Sequence, residues 1–251
     1  ARSFIRQSPR SGPAIASCLR EWSSFIDAKL CDRCGWLFLA PTYDDAELEK
    51  LYAADGDRLM ADGTAGAATA DYRRCQAIRR TLEPWLPPGR ARVLDVGGGS
   101  GELVQCFASD GHEVTVVDRS ESTAGSPGIT RVSVPFLDWP GGEFDVVIMS
   151  HVLEHTASPS EFLEHVKSMM AKDGLLFIEV PFELLTPLIR RHIGDHRHLG
   201  FFSTVTLRGF FDKVGLACLT CRLTVGRVGD TVITVIRAVA RKRCDTITTS
   251  A

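Results

Sequence analysis

The chain has 251 residues, of which 44% are hydrophobic and 24% are charged, a balance typical of a globular protein with a sizeable core. The formal net charge is −2, so the chain lacks the positive field that holds phosphate backbones, and we expect no nucleic-acid partner. No apolar run approaches the ~18 residues of a membrane span and no secretory signal is evident, which predicts a cytoplasmic protein without a membrane partner.

Residues 1–70 are predicted to form an N-terminal appendage with a helical cover, and residues 71–251 to form the main domain. Cys31 and Cys34 lie in a C-x-x-C-G sequence that can present two thiolates to zinc. Cys18 is the upstream cysteine available as a third ligand, and Cys75 would contribute only by folding back. A tetrahedral structural site needs four ligands, so the alternatives are bound zinc and a degraded remnant of a zinc site.

The eight cysteines are scattered along the chain, which predicts reduced thiols. A second C-x-x-C pair, Cys218 and Cys221, lies in a predicted strand where alternate side chains face opposite ways, and we interpret it as structural. The segment 55–70 is rich in Gly, Ala and Asp and predicts a loop, whereas Asp71–Leu82 predicts a helix that ends before Pro84.

From residue 92 onward, short apolar runs alternate with helical patterns, which predicts a parallel sheet covered by helices on both faces. The runs that predict strands are Arg92–Val96, Glu113–Asp118, Phe144–Met149 and Leu175–Val180. The helical patterns between them are Glu102–Ser109 and Ser160–Met170. The last part of the sequence predicts a helix over Thr204–Val214. An antiparallel hairpin is predicted after it, with strands over Leu216–Val225 and Thr231–Val239.

A glycine loop follows the first of these strands in the sequence VLDVGGGSGEL. Its glycines allow positive φ angles and let a ligand approach the N-terminus of the next helix, and they are Gly97, Gly98, Gly99 and Gly101. The third glycine of a dinucleotide site is replaced by Glu102. Asp118 ends the next strand, where a carboxylate can accept hydrogen bonds from ribose hydroxyls; a surface turn is the alternative role.

Histidines and acids follow two later strands, near the crevice where open parallel sheets bind ligands. The first group is the sequence from His151 to His155, and the second lies in Glu179–Ser203, with His192, His196 and His198. An H-x-H pattern can bind a metal or supply a general base, and the family resemblance described below favours the base over the metal. The candidate bases are His155, His196, His198 and Glu179, and incidental histidines in a solvated loop are the alternative.

Taken in order, VLDVGGGSGEL, VTVVDRS, EFDVVIMSHVLEH and DGLLFIEVP resemble the motifs of class I S-adenosylmethionine-dependent methyltransferases. The resemblance covers about residues 71–240 and is to the branch with H-x-L-E-H after the fourth strand. It implies an α/β fold, a doubly wound seven-stranded mostly parallel sheet whose last strand is antiparallel, and S-adenosylmethionine as cofactor. The N-terminal C-x-x-C-G pair resembles a cysteine module of some sugar and natural-product methyltransferases.

The resemblance also implies roles for individual residues. Asp95 and the Gly97–Gly101 backbone would hold the methionine end of the cofactor, and Asp118 would take the ribose, with Arg119 beside it. The far wall would consist of Met149, Ser150 and His151, with His155 near the transferred methyl. Pro135 stands where relatives often carry an acid for adenine, so Asp138 or backbone groups would replace that acid.

The leading interpretation is therefore a methyltransferase that acts on a small molecule, with a sugar, saccharide or natural-product intermediate as the preferred acceptor. An NAD(P)-dependent oxidoreductase on a related sheet is the second interpretation. A non-catalytic methyltransferase-like binding domain is the third. The sequence leaves open whether oxygen, nitrogen or carbon is methylated.

Overall fold

The computed structural model describes residues 2–7, 26–40, 65–120, 127–184, 198–228 and 231–243. In these ranges the strands are β1 (Arg2–Gln7), β2 (Ile26–Leu30), β3 (Leu37–Ala40), β4 (Arg92–Val96), β5 (Glu113–Asp118), β6 (Ile129–Ser133), β7 (Phe144–Ser150), β8 (Met170–Pro181), β9 (Gly200–Phe201), β10 (Leu216–Val228) and β11 (Thr231–Lys242). The helices are α1 (Ala65–Leu82), α2 (Gln105–Ser109), α3 (Pro159–Ser168) and α4 (Thr204–Lys213). Single 3-10 turns occupy Glu102–Val104, Phe136–Asp138 and Leu153–His155. The predicted site residues Cys18 and His196, together with His192, lie outside the described residues.

Seven strands form the central sheet, in the spatial order β10-β11-β8-β7-β4-β5-β6. Strand β11 pairs antiparallel with both β8 and β10, and the other neighbours pair parallel. The predicted doubly wound, mostly parallel sheet and its terminal antiparallel hairpin are therefore confirmed. Strand order reverses on either side of β4, so β4 and β7 lie at the switch point where open α/β sheets bind ligands.

Helices cover both faces of this sheet, which is why its central strands are largely apolar. One face packs against α3 and α4 through residues such as Leu163 and Phe211, both 0% exposed. The other face packs against α1 and α2 through Ile78 and Phe107, also 0% exposed. Each such side chain contributes about 1.5–3 kcal/mol by its removal from water. None of the helices in the described ranges combines the length and apolarity that crossing a bilayer requires.

A second sheet of four antiparallel strands, in the order β1-β2-β3-β9, joins the N-terminal residues to the main domain. Leu37 of β3 pairs with Phe201 of β9. Trp36 stands edge-on to Phe210 of α4, with ring centroids 5.3 Å apart. Helix α1 begins at Ala65, so the predicted loop over 55–70 is wrong for residues 65–70. The helix also crosses the predicted domain boundary between residues 70 and 71.

The expectation that all cysteines are reduced is wrong for one pair. Cys75 and Cys106 form a disulfide, because α1 and α2 lie side by side on one face of the sheet and bring their Cα atoms to 6.1 Å. The prediction of reduced thiols fails for this pair, and Cys75 is not available as a zinc ligand. A register shift in β10 between Cys218 and Thr220 brings Cys218 and Cys221 to the same face, where both contact the same core cluster. Burial raises the pKa of the Cys221 thiol to about 11.

Candidate functional site

The loop after β4 requires glycine at several positions. Gly97, Gly99 and Gly101 have φ angles of 68°, 56° and 88°. Residues with a side chain rarely adopt such positive φ angles. At Gly98 a Cβ atom would overlap the carboxylate of Asp95. A Cβ atom at Gly99 would meet nothing within 4 Å. The loop backbone is therefore packed against the protein on one side and open to a ligand at Gly99.

Asp95 is a buried acid beneath this loop, with 1% of its surface exposed. Neither of its carboxylate oxygens has a hydrogen-bond partner among the described residues. Burial and the charge of Asp118 raise its pKa to about 8, and the charge of Arg74 opposes that rise. An unpartnered acid at this depth is suited to a positively charged group of a ligand.

Asp118 faces the glycine loop from the tip of β5. Its Oδ2 accepts a hydrogen bond from the Gly99 N–H at 2.9 Å, and its Oδ1 accepts from Ser120 N and Oγ at 2.8 and 2.7 Å. The Arg131 guanidinium donates to the carbonyl oxygens of Gly99 and Ser120 and so links the two strand ends. Arg131 was not predicted as a site residue, because nothing in its sequence context distinguishes it from a surface arginine.

Two further predicted residues lie at the same edge of the sheet. Arg119 is exposed next to Asp118. Asp138 is exposed in the 3-10 turn after β6, whose last residue, Ser133, pairs with Asp118. Both side chains therefore lie on the β5–β6 side of the glycine loop.

The predicted far wall lies on the opposite side of the loop, because β7 pairs with β4. Met149 is fully buried opposite Val96, and Ser150 follows it. His151 adopts a φ angle of 56°, which turns the chain sharply at the end of the strand. Val152 then packs against the loop, where a Cβ atom at Gly97 would lie 2.8 Å from its Cγ2.

Glu179 of β8 lies between two arginines. Its Oε1 accepts a hydrogen bond from Arg74 Nη2 at 3.0 Å, and its Oε2 accepts from Arg237 Nε at 2.6 Å. Ser150 Oγ also donates to Oε1, at 3.1 Å. Burial would raise the pKa of Glu179, but its contact with His151 and the two arginine charges hold it well below the usual range. Glu179 is therefore an ionised carboxylate, and both of its oxygens already accept hydrogen bonds from neighbouring side chains.

His151 bridges two buried acids. Its Nδ1 lies 3.2 Å from Glu154 Oε1, and its Nε2 lies 3.6 Å from Glu179 Oε1. Burial would lower the pKa of His151, but contacts with the two carboxylates outweigh it and raise the pKa to about 9. His151 is therefore an imidazolium at neutral pH.

A second cluster forms where the turn after β7 meets the residue before β9. The Leu199 N–H donates to the Glu154 carbonyl at 2.7 Å, which brings His198 beside His155. The rings of the two histidines are edge-on, with centroids 4.8 Å apart. His198 Nδ1 lies 2.7 Å from Glu183 Oε2. The structure thus groups His155 and His198 with Glu154, which belongs to the H-x-L-E-H motif, and adds Glu183, which was not predicted as a site residue.

The cysteine pair near the N-terminus forms a tight turn. Gly35 N–H donates to the Cys31 carbonyl at 2.8 Å, with Gly35 at a φ angle of 72°. Cys34 is exposed, and backbone N–H groups of Cys34 and Arg33 lower the pKa of the Cys31 thiol. Structural zinc at this turn would need ligands from beyond the described residues, such as Cys18, so the predicted zinc site stays a prediction.

Comparison with curated proteins gives partial matches. The ubiquinone biosynthesis O-methyltransferase of Caulobacter sp. (strain K31) is 33% identical over 115 residues, which cover 41% of this chain and 46% of the relative. C-methyltransferase NovU of Streptomyces niveus is 28% identical over 137 residues, which cover 49% of this chain and 32% of the relative. The matched segments therefore span less than half the length of either relative.

Solved structures match more of the chain. The 1,6-didemethyltoxoflavin-N1-methyltransferase of Burkholderia thailandensis, bound to 1,6-didemethyltoxoflavin and S-adenosylhomocysteine, has a TM-score of 0.62 at 17% identity and covers 88% of this chain and 96% of its own. Magnesium protoporphyrin IX methyltransferase (ChlM) from Synechocystis PCC 6803, also with S-adenosylhomocysteine, has a TM-score of 0.59 at 18% identity, covering 80% and 100%. At these identities the likeness shows a shared fold.

A family model described as a methyltransferase domain matches residues 67–220, more than half of the chain. The matched range begins within α1, contains the glycine loop and both clusters of buried acids, and ends in β10. The chain belongs to the methyltransferase-domain family.

Proposed function

We propose that this protein transfers a methyl group from S-adenosylmethionine to a small-molecule acceptor. The observation that carries the proposal is the glycine loop, which is open at Gly99 and flanked by the acids Asp95 and Asp118 at the tips of adjacent strands. Membership of the methyltransferase-domain family supports it. The solved neighbours that are described with S-adenosylhomocysteine support the choice of cofactor.

The residues around the loop suit the parts of this cofactor. The unpartnered carboxylate of Asp95 would pair with the α-amino group, and the loop N–H groups would meet the methionine carboxylate. Asp118 would accept hydrogen bonds from the ribose hydroxyls, through the carboxylate oxygens that now accept hydrogen bonds from Gly99 and Ser120. On the adenosine side lie Arg119 and Asp138, and the opposite wall consists of Met149, Ser150 and His151.

The bound cofactor supplies an electrophilic methyl group on a sulfonium, so the protein must align the acceptor and exclude water. We assign His155 and His198 to the acceptor side, where an imidazole can take the proton that a hydroxyl loses. Glu183 orients His198 through its contact with Nδ1. His196, outside the described residues, remains a candidate of the same kind. Glu179 is a poor base, because its lowered pKa disfavours uptake of a proton.

The proposed acceptor class is a hydroxylated small molecule, such as a sugar, a saccharide or a natural-product intermediate. A base cluster is useful for an acceptor that must lose a proton, which favours a hydroxyl. The names of the curated relatives include an O-methyltransferase and a C-methyltransferase, and both reactions require such proton removal.

Calorimetric titration with S-adenosylhomocysteine and, separately, with NAD⁺ tests the proposal. We expect S-adenosylhomocysteine to bind and NAD⁺ not to bind. Asp118→Ala should weaken binding about 10- to 100-fold, since hydrogen bonds to a charged group contribute about 1.5–3 kcal/mol. Asp145→Asn is the matched control, because Asp145 lies near the opposite end of β7, where it accepts from Arg92 N. Binding of NAD⁺ alone would instead indicate an oxidoreductase. Cofactor binding without release of S-adenosylhomocysteine on any hydroxylated acceptor would indicate a binding domain.

A further inference from the structure

We propose that Glu154, His155 and His198 bind a divalent transition-metal cation on the acceptor side of the cleft. Each residue offers one ligand atom, and these atoms all lie within 4.8 Å of one another. No other group of three or more such ligands occurs in the part of the chain that the structure describes. The role of the cation in catalysis rests on the proposed function, whereas its binding does not.

Glu154 supplies the strongest evidence for a missing partner. Its side chain is 0% exposed, and neither carboxylate oxygen has a hydrogen-bond partner among the described residues. From Oε1, His151 Nδ1 lies at 3.2 Å and His155 Nε2 lies at 3.9 Å. A buried carboxylate costs several kcal/mol unless it is paired or binds a metal. His151 offsets part of this cost at Oε1, and a cation would supply a partner for the other oxygen, Oε2.

His198 is oriented as metal-bound histidines usually are. Its Nδ1 is engaged with Glu183 Oε2 at 2.7 Å, so Nε2 is the nitrogen that would bind the cation. A carboxylate on the second ring nitrogen fixes the tautomer of a metal-bound histidine and makes it a better ligand. The ring planes of His155 and His198 differ by 76°, so the two imidazoles are edge-on rather than stacked.

Backbone hydrogen bonds hold the ligands in place. The His155 N–H donates to the Val152 carbonyl at 3.0 Å, which closes the 3-10 turn that carries Glu154 and His155. The bond from Leu199 N to the Glu154 carbonyl then ties His198 to the same turn. The site therefore combines a residue pair from one turn with a histidine from a distant segment, as preorganised metal sites do.

The chemistry of the ligands indicates the class of cation. Two imidazoles and one carboxylate suit zinc, iron, cobalt or nickel, whereas magnesium and calcium prefer oxygen ligands. Three protein ligands leave coordination positions open for an exogenous oxygen. A cation here would bind the acceptor hydroxyl and lower its pKa, so that the proton could pass to water, and His155 and His198 would then serve as ligands rather than as the base. The site is distinct from the Cys31–Cys34 turn.

Cobalt titration of the full chain tests the proposal, with the protein prepared without a histidine tag and treated with a chelator. The visible absorbance of bound Co²⁺ is followed in the wild type and in a Cys31→Ser, Cys34→Ser double variant. We expect about one equivalent to bind in both proteins and to be displaced by Zn²⁺. Glu154→Gln and His198→Ala should each weaken binding about tenfold or more. His165→Ala is the matched control, because His165 lies on α3 and contacts Phe136.

Each outcome has one interpretation. Absence of Co²⁺ binding, binding that survives both ligand variants, or binding that disappears in the double cysteine variant would overturn the metal site. Titration of the same samples with S-adenosylhomocysteine tests the proposed function separately. Retained binding of that compound by His198→Ala shows that the variant is folded, so that loss of Co²⁺ reports on the ligand itself. Glu183→Gln should weaken Co²⁺ binding less than His198→Ala, since it removes only the orienting carboxylate.

Discussion

Cofactor affinity should depend strongly on pH, because Asp95 is largely protonated at neutral pH in the free protein. Its pKa is raised from 3.8 to about 8 by burial and by the charge of Asp118. A cofactor that places its α-amino cation against this carboxylate binds the ionised form. Below about pH 8, binding must therefore release a proton, and affinity should increase as the pH rises toward the pKa of Asp95.

The magnitude follows from the fraction of Asp95 that is ionised. With a pKa of about 8, roughly 1% of the carboxyl is ionised at pH 6, 10% at pH 7 and half at pH 8. The dissociation constant for S-adenosylhomocysteine should therefore fall about 50-fold between about pH 6 and about pH 8. The same raised pKa has a consequence for stability: the folded state holds this proton more tightly than the unfolded chain, so the free energy of unfolding decreases as the pH rises toward 8.

Calorimetry at several pH values, in two buffers with different ionisation enthalpies, measures both the affinity and the number of protons released. Asp95→Asn cannot titrate and should remove most of the slope, with affinity near that of the wild type at about pH 6 and weaker at about pH 8. Asp145→Asn should keep the slope of the wild type. A wild-type affinity that changes less than about threefold over this range, or an Asp95→Asn variant with an unchanged slope, would refute the reasoning.

Four further substitutions test the packing. Gly98→Ala should abolish S-adenosylhomocysteine binding, because its Cβ would overlap the Asp95 carboxylate. Gly209→Ala is the control, because Gly209 lies in an open position within α4. This control should bind S-adenosylhomocysteine normally, and its free energy of unfolding in urea should be about 1 kcal/mol higher. Glu179→Gln should lower the free energy of unfolding by about 3–5 kcal/mol, because it leaves two partly buried arginines without their carboxylate. Ser203→Ala removes the capping box of α4 and should cost about 1 kcal/mol, measured by the same urea unfolding.

Other results would contradict these arguments in distinct ways. A Gly98→Ala protein with normal cofactor affinity would show that the loop can shift away from Asp95. A Glu179→Gln protein as stable as the wild type would show that the arginines find other partners. Unchanged stability of Ser203→Ala would show that water satisfies the first turn of α4 as well as the hydroxyl does.

The central sheet was predictable because its strands are buried on both faces and carry continuous apolar runs. Strand β5 was predicted with its observed bounds, Glu113–Asp118, and β4 likewise as Arg92–Val96. Strand β6 lies at the edge of the sheet and is only partly buried, so Ile129–Ser133 lacks the apolar run that marks its neighbours. The N-terminal strands are short and pair with a two-residue partner from much later in the chain, which local patterns do not reveal.

The positions of the candidate site residues were predictable where they follow directly from a strand end. Asp95, the glycines and Asp118 belong to this class, because parallel strands bring their carboxyl ends to one edge. The ion pairs of Glu179 were not predictable, since Arg74 and Arg237 come from elements far apart in sequence. For the same reason the disulfide between Cys75 and Cys106 depends on how two helices pack rather than on the spacing of the cysteines.

The pairing of β3 with β9 makes residues in the first part of the chain responsible for the geometry of His198, which lies much later in the sequence. The Leu39 N–H donates to the Leu199 carbonyl at 2.9 Å, and Gly200 lies so close to Trp36 that a Cβ atom there would be 2.9 Å from the indole ring. His198 immediately precedes these two residues. We therefore expect a chain that lacks these N-terminal strands to keep the residues proposed to bind the cofactor and to lose the contacts that position His198, so that it would bind S-adenosylhomocysteine without a fixed place for the second reactant.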